Sequence, residues 1–534
     1  MARCDLCWWQ RGAIYQIYPR SFADSNGDGV GDLPGITERL DYLNDGTDRS
    51  LGVEAIWLSP FYRSPMADFG YDVSDYTDVD PLFGSLGDFE VLLEQAHARG
   101  IRVVIDWVPN HTSDRHPWFM ESRLGRHSPK RDWYVWRDPD PAGGPPNNWR
   151  STFETVGPAW TFDRGSGQYY LHSFTPNQPD LNWDNPEVEE AMHDVLRFWL
   201  EQGVDGFRLD VIHKIAKDPQ LRGNRSDSAG AAELRHDEGW PSIHDRLRRI
   251  RSVVDEYDDR MLVGEVHIYD LPRFIEYVRT GDQLHMAHNF TFMHLPWDAA
   301  AMRASIDKFM ELSAGRAWPA WFLSNHDHSR MVSRYGEGEL GEARARVAAM
   351  LLYTLRGTPF IYQGDELGLP DAEIPPESAV DVDGRDPERA PIPWEPPSEA
   401  GVAAGFSTGR PWLPVVADAE RLCVRNQREN PDSLLSLVRH LSWRRRHDGC
   451  LQRGEYRSVE AGDGILAYGR ELDGESLLVL LNFAAEPRGL DHSGLPDRAT
   501  VELCTDRRRA PGAVALRELE LRPNEGLLLR ELAG

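Results

Sequence analysis

Three stretches of this chain end alike, and they constrain its fold more than anything else in it. Asp205-Gly206-Phe207-Arg208-Leu209-Asp210, Met261-Leu262-Val263-Gly264-Glu265 and Trp321-Phe322-Leu323-Ser324-Asn325-His326-Asp327 are short apolar runs that stop at an acid. Such a run reads as a buried strand, and strands that deliver charge at their carboxyl ends present it at the mouth of a parallel barrel. Helical periodicity separates the runs. Pro186 opens one helix, with Val188, Met192, Val195, Leu196 and Trp199 on one face. The reading is an α/β chain, a (β/α)8 TIM barrel with one carboxylate-lined pocket.

Taken in order, the eight strands are Ala13–Tyr18, Gly52–Pro60, Ile101–Asp106, Gly206–Leu209, Met261–Glu265, a sixth within His285–Phe292, Trp321–Asn325, and Gly357 onward to a loop holding Gln363 and Glu366. Ile36–Leu43 has helical spacing, as does Leu434–Arg446. Asp88 is expected to cap a helix through Phe89, Leu92, Leu93 and Ala96 that Gly100 closes. From Asp114 to Asn177 the periodicity lapses over a span too long for an ordinary connection, so an irregular subdomain is inserted after strand three. Leu369–Glu420, rich in Pro, Asp and Glu, reads as a surface excursion near the mouth. Beyond Gly449 the period shifts to two, in Gly464–Tyr468, Ser476–Phe483, Thr500–Leu503 and Gly526–Arg530, which predicts a small antiparallel β domain. The division is therefore 1–110 barrel, 111–177 inserted subdomain, 178–448 barrel with its loop at 369–420, and 449–534 the C-terminal β domain.

At 534 residues, with 40% hydrophobic residues and 18 Trp, the chain holds a large folded core and more than one module. A net charge of −27 disfavours nucleic acid and anionic membranes as partners, but is indifferent to a neutral small molecule. No run of about 18 apolar residues occurs, and the opening residues lack the apolar core of a signal peptide, so a cytoplasmic protein is expected. The Cys4-x-x-Cys7 pair has no second Cys or His pair beside it to complete a zinc site, and Cys423, Cys450 and Cys504 stand alone.

Arg208 and Asp210 are two apart, so on a strand both point to one side, where a guanidinium keeps the carboxylate ionised. Asp210 is taken as a nucleophile. Asp24, Asn26, Asp28 and Asp32, spaced by glycines, with the Val30 carbonyl, place oxygens where they wrap a hard cation such as Ca²⁺. The terminal glutamate and flanking helices of an EF-hand are missing, and an Asp/Asn/Gly turn that binds nothing is the other reading. Asp68-Phe69-Gly70-Tyr71-Asp72 offers a ring face and acceptors suited to a sugar. Asn110 and His111 follow strand three, as hydrogen-bonding groups or as loop packing.

Together these blocks resemble the α-amylase superfamily, glycoside hydrolase family 13, in its α-glucosidase and oligo-1,6-glucosidase branch. Asp106-Trp107-Val108-Pro109-Asn110-His111, Gly206-Phe207-Arg208-Leu209-Asp210, the Glu265 strand end and Asn325-His326-Asp327 stand in the family's order, and Gln178-Pro179-Asp180-Leu181-Asn182 looks like the branch's further block. The resemblance implies Asp210 as nucleophile, Glu265 as general acid/base, and Asp327 as the acid that holds substrate hydroxyls. It implies glucose binding by Asp68, Tyr71, His111, Arg208, His326 and Arg330, a calcium loop at Asp24–Asp32, and a C-terminal β-sandwich. The substrates implied are maltose, isomaltose, sucrose or short oligosaccharides.

Retaining hydrolysis needs an attacking carboxylate and a protonated partner about 5 Å away. Arg208 is expected to hold Asp210 ionised while burial raises Glu265. Val211 after the nucleophile resembles the α-1,6 pattern of the branch, while Ile212-His213-Lys214 departs from its common forms. A sucrose isomerase is expected to carry an arginine-rich run where Phe292-Met293-His294-Leu295-Pro296-Trp297 stands. Non-catalytic transporter subunits of this likeness lose the acids and carry an anchor; here the acids are kept.

Overall fold

The computed structural model describes residues 6–224, 235–492, 494–506 and 508–531; Cys4 lies outside them. Eight strands form a closed parallel barrel: β1 Ile14–Ile17, β2 Ala55–Leu58, β3 Arg102–Trp107, β4 Gly206–Leu209, β5 Met261–Val266, β6 Met286–Asn289, β7 Ala320–Trp321 and β8 Thr358–Tyr362. Each pairs with its chain neighbours, and Phe360 of β8 lies opposite Ile14 of β1. Both faces of these strands are covered, by helices outside and side-chain layers inside, which is why they read as continuous apolar runs.

Register sets the height of the acids. Leu209 lies opposite Gly264 on β5 and Trp107 on β3, so Asp210 and Glu265 leave the barrel at the same level. Gly206 makes this close pairing feasible, since a Cβ there would sit 2.6 Å from the Met261 carbonyl oxygen. β7 is shorter than expected. It covers only Ala320–Trp321, and Asn325 instead bridges His328 in the following loop.

Two local expectations change. The helix Leu86–Ala98 is capped by Ser85: its Oγ accepts from the Asp88 N–H, and Asp88 accepts back from the Ser85 N–H at 2.8 Å, a reciprocal capping box. Ile36–Leu43 splits into Leu33–Glu38 and Leu40–Leu43 at Arg39.

Between β3 and β4 lie a helix, Pro117–Ser122, and a three-stranded antiparallel sheet with Gln168–Leu171 in the middle. Phe119, Trp136 and Tyr170 pack as its aromatic core. The stretch 369–420 corrects its reading as a surface excursion. Trp394 and Phe406 are buried, Trp394 Nε1 donates to the Phe22 carbonyl at 2.7 Å, and Arg385 and Arg389 point inward. Proline and acidic composition marked a segment without regular structure, not one without contacts.

After a helical turn at Gly449–Arg453, a six-stranded antiparallel sheet forms from β9 Glu455–Val459, β10 Ile465–Leu472, β11 Glu475–Asn482, β12 Arg498–Cys504, β13 Gly512–Ala515 and β14 Gly526–Glu531. Its order is β9-β10-β11-β14-β12-β13, and Arg488–Gly489 pairs with Glu520–Leu521 as a second layer. Alternation divides its faces: Leu478, Leu480, Leu527 and Leu529 share a core with Leu521, while Leu477, Val479, Leu481 and Leu528 join the barrel's core. Two fully buried arginines lie at that seam, of which Arg470 crosses it. Arg445 Nη1 donates to the carbonyls of Tyr353 and Leu355, and Arg470 Nη1 to that of Thr354 at 2.7 Å, with Nη2 on Gly454.

Candidate active site

The barrel mouth opens into a cavity of about 640 Å³ bordered by Asp68, Tyr71, His111, Asp210, Glu265 and Asp327. Arg208 organises its floor. From β4 its Nη1 lies 2.6 Å from both Asp210 Oδ1 and Asp106 Oδ1, and its Nη2 lies 2.7 Å from Glu265 Oε2. Val211, with φ +34°, turns the backbone so that its N–H donates to the same Glu265 oxygen at 2.8 Å. Two carboxyls on one guanidinium have a spacing on the order of the 5 Å of a retaining pair.

Arg208 meets Asp210 as expected and serves Glu265 and Asp106 as well. Burial pushes both carboxyls up. Arg208, His267 and the Val211 N–H then pull Glu265 well below its ordinary value, while Asp210, offset mainly by Arg208 and repelled by Glu265 and Asp106, stays well above.

Asp327 is held from the other side. Arg385 Nη1 and Arg389 Nη2 reach its Oδ1 at 3.0 and 2.9 Å, and His326 reaches Oδ2 at 3.2 Å. Burial opposes ionisation there, but His326 and the two arginines keep the carboxyl well below its usual range. Asp68 accepts from Arg385 at 2.6 Å and from Gln178 Nε2 at 2.9 Å. Gln178 also meets His111 Nε2 at 3.1 Å, so the block after the inserted subdomain orients two groups of the cavity wall.

Three residues implied by the resemblance do not border the cavity. His326 is fully buried, with Nε2 2.6 Å from the Tyr71 hydroxyl and Nδ1 2.7 Å from Gln16; burial lowers it to about 3, so it is a neutral partner that holds Tyr71. Arg208 acts from beneath the acids. Arg330 is the clear correction: it is buried against the Tyr362 ring at 4.6 Å and donates to the Gln363 carbonyl at 2.9 Å. The arginines at Asp327 come instead from the 369–420 stretch. Arg385 and Arg389, four apart, were the one legible signal in a segment otherwise read by composition. His267, which borders the cavity and meets Glu265 at 2.9 Å, was also missed.

In the Asp24–Asp32 loop the side-chain oxygens accept from the loop's own N–H groups, with Asn26 and Asp28 exposed. Asp24 accepts from the N–H groups of Asn26, Gly27 and Gly29, Asn26 from Asp28, and Asp28 from Val30. Asp32 caps the next helix through Gly35, and burial, with Asp24's charge nearby, raises its carboxyl. The loop offers only oxygen donors, the kind a hard cation takes, though Asp24, Asp28 and Asp32 do not converge on one point in this structure. The loop backs onto the excursion, where Trp412 N–H donates to the Gly29 carbonyl at 2.9 Å.

A parallel barrel with carboxyls at the ends of β4 and β5 and after β7, around a sugar-sized cavity, defines the class of barrel glycoside hydrolases. The chain belongs to the family of alpha-amylase catalytic domains, whose model matches residues 16–454, and residues 456–524 match the maltogenic amylase C-terminal domain. It is 43% identical to a probable alpha-glucosidase of Rhizobium meliloti (strain 1021), over 90% of each chain. It is 38% identical to an oligo-1,6-glucosidase of Parageobacillus thermoglucosidasius, over 98% of each. The crystal structure of an alpha-glucosyl transfer enzyme superposes with a TM-score of 0.90 at 40% identity, covering 99% of this chain and 100% of that one.

Proposed function

We propose that the chain is a retaining, exo-acting α-glucosidase that releases glucose from the non-reducing end of short α-glucosides such as maltose, isomaltose, sucrose or small oligosaccharides. One observation carries this reading: Asp210 and Glu265 meet on a single guanidinium inside a cavity of sugar size.

Asp210 is the nucleophile. Its Oδ forms a bond to the anomeric carbon as the C1–O bond to the leaving sugar breaks, and Glu265 gives its proton to the departing oxygen. The pair shares one proton, carried by Glu265 in the reactive state with Asp210 ionised on Arg208. Glu265 then takes a proton from water as the water oxygen attacks C1, freeing glucose and the Asp210 carboxylate. Asp327, Asp68 and His111 accept or donate to glucose hydroxyls, Tyr71 supplies a ring face, and Arg208, His326 and Arg385 hold these groups in place. Val211 after the nucleophile tilts the linkage preference toward α-1,6.

Asp24, Asn26, Asp28, Asp32 and the Val30 carbonyl would hold Ca²⁺, which supplies charge neutralisation in that loop. The enzyme works in the cytoplasm. Cys423, Cys450 and Cys504 are buried free thiols, as a reducing compartment favours, and no helix among the described residues is long and apolar enough to cross a membrane. Transfer of glucose to a sugar or alcohol is the second reading, favoured by the superposition on an alpha-glucosyl transfer enzyme.

Initial rates and products on maltose, isomaltose, sucrose and maltotriose test the proposal. Free α-glucose as first product, lost in Asp210→Ala, is expected; β-glucose as first product, or full turnover by the variant, overturns it. Glucosylated acceptor exceeding free glucose selects the second reading.

A further inference from the structure

We propose that His267 is a positioning residue for Glu265: it fixes the carboxyl in the cavity wall and sets the pH at which that carboxyl gives up its proton. The inference rests on Glu265 being the acid/base. His267 follows Glu265 by two on one extended stretch, so both side chains lean to the same side of the barrel mouth. Its Nε2 lies 2.9 Å from Glu265 Oε1. The other carboxyl oxygen, Oε2, is taken by Arg208 at 2.7 Å and the Val211 N–H at 2.8 Å, so the carboxyl is gripped at both ends.

The imidazole is itself held. It stacks on Phe290 with centroids 3.9 Å apart and planes 26° apart, and its side chain keeps 26% exposure on the cavity side. A ring fixed by an aromatic neighbour and open to the cavity orients Glu265 without filling the space a leaving sugar needs.

The surrounding charges leave this contact as the adjustable one. Asp210 and Arg208 from β4 and Asp106 from β3 press on the carboxyl from below. His213, Lys214 and Glu238 approach from the loops after β4, Tyr269 from the loop after β5, His288 and His294 from β6 and its loop, and Asp327 and His328 from the loop after β7. Burial lowers His213 and His288 to about 3 and His328 to about 4, lowers His294 and raises Tyr269, so all five are neutral near pH 7. Lys214 is ion-paired to Glu238 at 2.8 Å. Lys214 holds Glu238 ionised, and Arg385 and Arg389 do the same for Asp327. Asp106, pushed by burial to about 6, titrates in the working range but sits against Arg208 and Trp57, identically in parent and variants.

An N–H that donates to an ionised carboxylate favours that form, so removing it raises the pH at which the proton leaves. The alkaline limb of kcat/KM reports that loss in the free enzyme. His267→Phe keeps a ring for Phe290 but offers no donor, and is expected to move the alkaline limb up by about one pH unit and lower kcat about tenfold, with KM changing less than about twofold. His267→Asn keeps an N–H, and its limb is expected within about 0.3 unit of the parent's. If His267→Phe fails to fold, His267→Leu reads the same effect. Parental limbs in the folded donor-less variant overturn the inference. Glu265→Gln separates the two failures: lost turnover on maltose with a parental limb in His267→Phe sinks only the role of His267, whereas retained turnover sinks the acid/base reading and this inference with it.

Discussion

Arg385 joins two loops that the sequence separates by nearly half the chain: its Nη2 meets Asp68 Oδ1 at 2.6 Å while its Nη1 meets Asp327 Oδ1 at 3.0 Å. Asp381 takes the same guanidinium at 2.7 Å. One cation thus keeps three carboxylates together, and two of them border the cavity.

Removing that cation leaves buried like charges facing each other, which typically costs about 3–5 kcal/mol. Arg385→Ala is expected to lower kcat/KM on maltose by at least about 100-fold and to depress the melting temperature. Arg385→Lys should recover part of the stability but less of the rate, since a point charge cannot span Asp68 and Asp327 as a planar fork does. Steady-state kinetics with thermal melts check both.

Arg208 presents the same argument at the reacting centre. Arg208→Lys is expected to lower kcat by about 10²–10³-fold, because one ammonium cannot meet Asp210, Asp106 and Glu265 together. A variant with parental kcat would show that the shared fork is dispensable.

Glu388 predicts a pH dependence of stability. Burial raises its carboxyl to about 8, although Arg389 lies alongside. A folded value above the unfolded one means that its contribution is fully present below about pH 4.5 and is lost as pH rises through about 8. Glu388→Gln is therefore expected to lose less stability than the parent between pH 6 and 9, by about 1–3 kcal/mol. Denaturant melts at the two pH values decide it; equal losses would place the sensitivity elsewhere.

The calcium proposal predicts that chelation lowers the melting temperature by several degrees, with the initial rate at 25 °C nearly unchanged. Gly29→Ala should mimic that loss. Its φ is +93°, and a Cβ there would lie 2.0 Å from the Arg410 carbonyl oxygen, which forces the loop off the excursion. A parental melt for the chelated protein, confirmed metal-free by elemental analysis, would refute a structural ion.

The barrel and its acids were legible because Phe207, Val263 and Leu323 lie in apolar runs of strand length, and because each run stops at charge. What was not legible was which arginine serves which acid. Arg330 sits close in sequence to Asp327 yet turns behind Tyr362, while Arg385 and Arg389 arrive from a stretch with no periodicity to mark it. Only the packing of Trp394 and Phe406 against the barrel brings them in. That Arg208 serves Glu265 as well as Asp210 was not legible for a related reason: Glu265 lies on the neighbouring strand, and the Val211 N–H that shares its Oε2 comes from the turn after β4. The Ser85 cap was a simpler miss, since Asp88 is its partner in the same box.

The two arginines at the seam between the domains have a consequence for how this chain can be cut. Arg445 and Arg470 bond only to main-chain carbonyls, four in the Tyr353–Gly357 connection that feeds β8 and one at Gly454. A protein truncated after the helix at Gly449–Arg453 keeps Arg445 but loses Arg470 and the apolar cover of Leu477, Val479 and Leu528, so the entry to its last barrel strand is moored from one side only. The two modules are separable on paper and a single unit in mechanics.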